Sequence, residues 1–338
     1  MNKTFITHYV NLNNISLLYS LLKDVNKNTA IAALIIPHSA AWCEPDIAVE
    51  KRNTVVLDKE YIHKYCDAMH VTERTFKRII KELQPVILKK KSKDTYYVNP
   101  FFASHGDGRH VAEFREYCVK NKLFIPFSFA NKICKAIDVE QYNYMLDNVF
   151  CTTDDRQRFI VACDKTEEEL QELLSRDALS YKHNCLYTNL DRVCKYSAFV
   201  DAKIGTTDVF MLMIMSCMSS FVKNQSDAEH NNIVTLSIKE QEKIAAKLNI
   251  SDRAVRDSLK KLCDLSLLHK CEREHGKYIV NPFLAAKGEQ NRIISLQHNF
   301  TTKFADGKYF NGCVGGDVNK DVSYAITEKE IDPNFDII

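Results

Sequence analysis

Residues able to do covalent or metal chemistry are spread thinly along this chain of 338 residues. Its twelve cysteines never form a Cys-x-x-Cys pair, and the closest two are Cys263 and Cys271. That scatter fits reduced thiols in a cytoplasm, and neither a disulfide scaffold nor a zinc ribbon. His183, Cys185 and Cys194 offer three metal ligands without a closing fourth, so structural thiols are the preferred reading. Asp154 and Asp155 precede Arg156 and Arg158 and suit the charge-dipole pairing of a helix start. The chain has no Gly-x-x-x-x-Gly-Lys-Ser/Thr phosphate loop, no His-Glu-x-x-His and no His-x-His pair. No enzyme signature remains, and no catalytic residue, metal or cofactor is expected.

The chemistry left is charge. Lys and Arg number 46 against 44 Asp and Glu, a net of +2, so any nucleic-acid surface must be local. Thr72 to Lys93 holds 8 basic and 2 acidic residues, net +6; Ser251 to Arg273 holds 6 and 4, net +2. In the first stretch Thr72, Arg74, Thr75, Lys77, Arg78 and Lys81 lie on a helix, followed by Lys89, Lys90, Lys91 and Lys93. The second stretch offers Ser251, Arg253, Arg256 and Lys260, then Lys270, Arg273 and Lys277. Arginine at a helix start can bond a guanine edge with two donors, whereas lysines on a loop reach phosphate. The basic first stretch favours DNA over a merely solvated face. The mixed second one leaves DNA and protein contact equally open.

These side chains need a frame, and an internal repeat supplies one. Val98-Asn99-Pro100-Phe101-Phe102-Ala103 recurs as Val280-Asn281-Pro282-Phe283-Leu284-Ala285, 182 residues on, and Gly106 and Gly288 follow at matching positions. Val71 to Leu83 aligns with Ile250 to Leu262 at an offset of 179. In the second copy Ile238 to Leu248 has a helical stripe at 244, 245 and 248, Asn249-Ile250 makes a turn, and Ser251 caps the next helix, as Thr72 does in the first. That helix buries Val255, Leu259 and Leu262, matched by Phe76, Ile80 and Leu83. An apolar step, a polar turn and an alternating strand, Tyr96 to Val98 or Tyr278 to Val280, make a β-hairpin. Helix, turn, helix and hairpin are a winged helix-turn-helix, whose second helix fits the major groove. Supporting helices are expected ahead of each copy, around 29–37 and 207–222, and behind each, through Val111, Phe114 and Tyr117 or Ile293, Leu296 and Phe300.

The expected fold is mainly α with small β-hairpins (α+β): tandem winged helix-turn-helix domains joined by a helical segment. The domains fall at 13–118 and 203–300, with a helical connection at 119–202 and an acidic, partly ordered tail at 301–338. Gly and Pro total only 16 residues, about 5% against a usual 12%, which argues for helix. Residues 301–338 carry 4 basic against 7 acidic residues, an inert terminus before a partner site. The longest apolar run, Val209 to Val222, has 14 residues, short of the roughly 20 a membrane span needs. Met1 to Phe5 lacks a signal-like pattern, and a cytoplasmic location is expected.

The run from helix-turn-helix through wing to Tyr-x-Val-Asn-Pro and a glycine resembles the firmicute plasmid replication (RepL-type) proteins. The matching residues are Tyr96, Val98, Asn99, Pro100 and Gly106, then Tyr278, Val280, Asn281, Pro282 and Gly288. The resemblance covers roughly 60 residues per copy, and that family carries one such domain where this chain has two. The tandem arrangement is similar to iteron-binding plasmid initiators, although their wing motifs differ. Both likenesses imply double-stranded DNA binding at an origin and recruitment of host replication proteins, without catalysis. A transcriptional regulator of the same architecture is the close alternative. A structural or adaptor protein of a phage or mobile element, using the same modules for protein contacts, is the rival from another class.

Overall fold

The computed structural model describes residues 7–8, 12–22, 24–84, 86–126, 140, 142–143, 168, 204–222, 231–271, 274–288 and 290–304. Among them helices alternate with small antiparallel sheets, a mixed α+β arrangement. The first unit runs β1 (Thr7–His8), α1 (Leu12–Leu22), α2 (Lys27–Ile35), β2 (Thr54–Val56), α3 (Lys59–Met69), α4 (Glu73–Leu83), β3 (Leu88–Lys90), β4 (Thr95–Val98), β5 (Ala103–Ser104) and α5 (Gly108–Lys120). The second runs α6 (Thr206–Met218), β6 (Ile233–Thr235), α7 (Ile238–Leu248), α8 (Asp252–Asp264), β7 (Leu268–Lys270), β8 (Lys277–Val280) and α9 (Gln290–Phe304).

The local signals explain these elements. Lys27 to Ile35 has no polar face beyond its first turn, and Thr29 to Ile35 are buried; a helix apolar all round belongs in a core. Helices α3 and α7 end at His70 and Asn249, both in the left-handed region, which reverses the chain within two residues. Thr72 and Ser251 then cap α4 and α8, their hydroxyls accepting from the amides of Thr75 and Ala254. Phe76, Ile80 and Leu83, and Val255, Leu259 and Leu262, are buried as their spacing requires. Asn99-Pro100 and Asn281-Pro282 directly follow β4 and β8, since proline cannot donate to a ladder.

The expected hairpins are parts of three-stranded sheets. Strand β4 lies between β2 and β3, and β8 between β6 and β7; the outer strands β2 and β6 are additions to the sequence reading. One continuous core holds α1, α2, α4, α6 and α8 together with the inner sheet faces. Smaller cores lie under α5 and α9, on the opposite faces of the two sheets. Helix α9 runs past the expected boundary at residue 300. Of the expected helical connection only 119–126, 140, 142–143 and 168 are described; Tyr142 is buried in the main core. The remainder, with Asp154-Asp155, His183, Cys185 and Cys194, and the tail beyond 304, lie outside the described residues. No helix among the described residues is long and apolar enough to cross a membrane.

The duplication extends to individual hydrogen bonds. Asn53 and Asn232, 179 residues apart, are both buried with positive φ. Each donates twice through Nδ2, to Val98 and Ala103 carbonyls or to Val280 and Ala285 carbonyls, at 2.8–2.9 Å. Asn99 and Asn281 likewise donate to the carbonyls of Val86 and Ser266. Arg115 donates to the Pro100 carbonyl where Gln297 donates to that of Pro282. His105 reaches the His38 carbonyl where Lys287 reaches that of Cys217. One equivalent pair is inverted: the Thr29 hydroxyl donates to Glu82, whereas Asp208 accepts from Lys261, at 2.7 Å, and from Ser258.

Candidate nucleic-acid interface

Helix α4 divides by burial into two sides. Phe76, Ile79, Ile80 and Leu83 face the core, and Glu73, Arg74, Lys77, Arg78 and Lys81 are exposed, four cations against one carboxylate. Arg78 lies 3.5 Å from Glu82 on its own helix. Arg74, Lys77 and Lys81 make no ion pair among the described residues, leaving three unneutralised cations along one helix. Thr72 is exposed but spends its hydroxyl oxygen on the cap, and Thr75 lies half-buried behind it, 3.1 Å away oxygen to oxygen.

The sheet pleat splits the lysines of the β3–β4 hairpin. Residues alternate between faces along a strand, and Lys90 pairs with Tyr96 on the side of Leu88 and Val98, whereas Lys89 pairs with Tyr97 on the α5 side. Lys89 Nζ donates to the Lys122 carbonyl at 2.7 Å, half-buried. Lys91 Nζ donates to the Glu50 carbonyl and sits 4.9 Å from the Tyr97 ring centre; burial lowers its pKa. Both ammonium groups are thus engaged by backbone carbonyls. Lys90 and Lys93 are exposed and without an ion pair among the described residues. Lys51, absent from the sequence-based set, is exposed on a 3₁₀ turn and close enough to Lys91 to lower its pKa further. Only its position in the chain, next to a buried arginine, could have hinted at it.

Helix α8 presents a different balance. Its exposed charges are Arg253, Arg256 and Lys260 against Asp252, Asp257 and Asp264, so its outer face is neutral. Arg253 pairs with Asp257 at 3.6 Å. Ser251 is the cap. On the β7–β8 hairpin, Lys270 is exposed, but Lys277 is held by Glu274 at 2.6 Å. Arg273 lies outside the described residues. The two hairpin connections differ in length, running from Lys91 to Asp94 and from Cys271 to Gly276.

Nothing described competes with this surface as a chemical site. Among the described residues no group of three or more His, Cys, Asp and Glu could hold a metal ion. Burial pushes the Cys43 thiol up to about 12 and Cys263 to about 11, so both stay protonated and poorly nucleophilic at neutral pH. A cleft between Trp42, Glu44, Asp46, Asp107 and His110 is lined by three carboxylates and lies beside Gly106. Comparison with known proteins finds no match for the chain among family models, curated proteins or solved structures.

Proposed function

We propose that each unit is a winged helix and that the chain binds double-stranded DNA without catalysis, α4 entering the major groove while the β3–β4 wing lies along the backbone. The observation that carries this reading is the outer face of α4, where Arg74, Lys77 and Lys81 stand exposed and unpaired among the described residues, with Lys90 and Lys93 on the adjoining wing. Arg74, in the first turn, is the base reader; the four lysines neutralise phosphate. The biological setting that accords with the resemblance is a plasmid or phage replication initiator acting with host replication proteins. A transcriptional regulator would use the same groove chemistry. The neutral face of α8 favours a second reading for that unit alone, contact with protein.

Equilibrium titration of the full chain with labelled duplexes at increasing salt tests the proposal. Four phosphate contacts give a slope of log affinity against log salt of about −3.6, at roughly −0.9 per contact. A flat response, or no binding at low salt, removes the DNA reading and leaves the adaptor.

A further inference from the structure

Five cations of the first unit make no ion pair among the described residues. Arg74, Lys77 and Lys81 follow one another at intervals of three and four on the outer side of α4, and Lys90 and Lys93 belong to the β3–β4 hairpin. Positions three and four apart share a helix face. At 1.5 Å per residue the three on α4 are spaced roughly 4.5 and 6 Å along its axis. Like charges that close repel one another, and an anionic segment laid along them relieves the repulsion.

The chain carries such a segment. Beyond Phe304, where α9 ends, residues 305–338 hold seven carboxylates against Lys308, Lys320 and Lys329, a net of −4. The 304 residues before them are net +6, and the total of +2 conceals both parts. Glu328, Glu330 and Asp332 occupy alternate positions, and Asp336 follows. Alternate residues of an extended chain are roughly 6.6 Å apart, close to the axial spacing of the α4 cations. Reach is sufficient. Glu328 stands 24 residues beyond Phe304, a tether of up to roughly 80 Å, against roughly 50 Å across a compact body of about 300 residues. Other described surfaces offer less: the exposed charges of α8 cancel, and the cleft beside Gly106 is lined by carboxylates.

We propose that the acidic segment 328–336 docks on the outer face of α4 in the same chain, its carboxylates meeting Arg74, Lys77 and Lys81 where DNA would present phosphate. Resting on the DNA-binding reading above for its consequence, the contact is autoinhibitory, because a duplex must displace the segment to reach α4. Tethering supplies an effective concentration on the order of 1 mM, so even a weak contact occupies the face much of the time and weakens duplex binding roughly 3- to 10-fold. Exposed charge pairs are screened, so the inhibition fades as salt rises.

Two measurements on the full chain test this. Carbodiimide cross-linking without DNA joins amines to carboxylates in contact, and mass spectrometry locates the bonds. Lys77, Lys81, Lys90 and Lys93 are expected to join Glu328, Glu330, Asp332 or Asp336, at a yield independent of protein concentration. Bonds spread alike over lysines of both units, or none to these four, overturn the inference. A yield that climbs with concentration also overturns it, since the contact would then lie between copies. The second measurement titrates duplex DNA into the original chain and into a variant carrying Glu328→Gln, Glu330→Gln, Asp332→Asn and Asp336→Asn, with circular dichroism confirming equal helix content. The variant is expected to bind roughly 3- to 10-fold more tightly at low salt, with the two curves converging at high salt. Equal affinity at low salt overturns the autoinhibition. Failure of both proteins to bind any duplex at low salt overturns the DNA reading instead, and the cross-links then decide the contact by themselves.

Discussion

Asn53 and Asn232 hold a left-handed backbone and two buried carbonyls each. Asn53→Ala should cost roughly 2–4 kcal/mol, since it strands two buried acceptors and keeps a left-handed residue without a local side-chain bond. Urea unfolding of the full chain measures it, and a loss below about 1 kcal/mol would contradict the assignment. At the interface the expected effects separate by role. Arg74→Ala should relax discrimination at one or two base pairs by about 1–3 kcal/mol; Arg253→Ala should cost less. Lys90→Ala with Lys93→Ala should weaken binding to all sequences alike and flatten the salt slope by about 1.8. Lys89→Ala and Lys91→Ala should leave that slope nearly unchanged, because their ammonium groups are bonded to backbone carbonyls. Competition titrations against mismatched duplexes resolve all four.

Glycine separates turns that need it from those that do not. At Gly106 φ is +121° and an added Cβ would lie 2.4 Å from the Cys43 carbonyl oxygen; at Gly205 it would lie 3.6 Å from Asp208. Gly106→Ala should therefore destabilise by roughly 2–5 kcal/mol, from strain and overpacking together, and Gly205→Ala by no more than about 1 kcal/mol. The inverted pair between α2 and α4 invites a cycle. Thr29→Asp alone sets a second carboxylate against Glu82, and adding Glu82→Lys should recover stability, with a coupling of about 0.5–3 kcal/mol by thermal unfolding. Much of this architecture is legible in the residues: the stripe of Ile238 to Leu248, the caps Thr72 and Ser251, and the Asn-Pro strand ends all have short-range causes. Strands β2 and β6 are three residues each, too short for alternation to appear. The partner of Thr29 lies 53 residues away, a distance no local pattern spans. The split among the hairpin lysines follows from the two-residue period of a strand, but only once its register against Tyr96 and Tyr97 is fixed.

At the scale of the whole molecule, a shared core runs through α1, α2 and α6, and the two units are expected to unfold as one body. The sole tryptophan, Trp42, belongs to the first unit, so its fluorescence and the far-ultraviolet helix signal should report a single coincident transition. Among the described residues, Tyr19 joins the two units through Phe210 and Thr207. Tyr19→Ala should cost about 3–5 kcal/mol and separate the two signals. Coincident curves in that variant would show that the units are joined elsewhere.

The internal duplication also bears on inheritance. In an assembly of two identical chains every substitution appears twice, so one copy of an exposed helix face cannot change without the other. A repeat carried within one chain escapes that constraint, because each copy takes its own substitutions. The exchange of Thr29–Glu82 for Asp208–Lys261, and of a basic outer face on α4 for a neutral one on α8, are changes that such a chain can carry on one side alone.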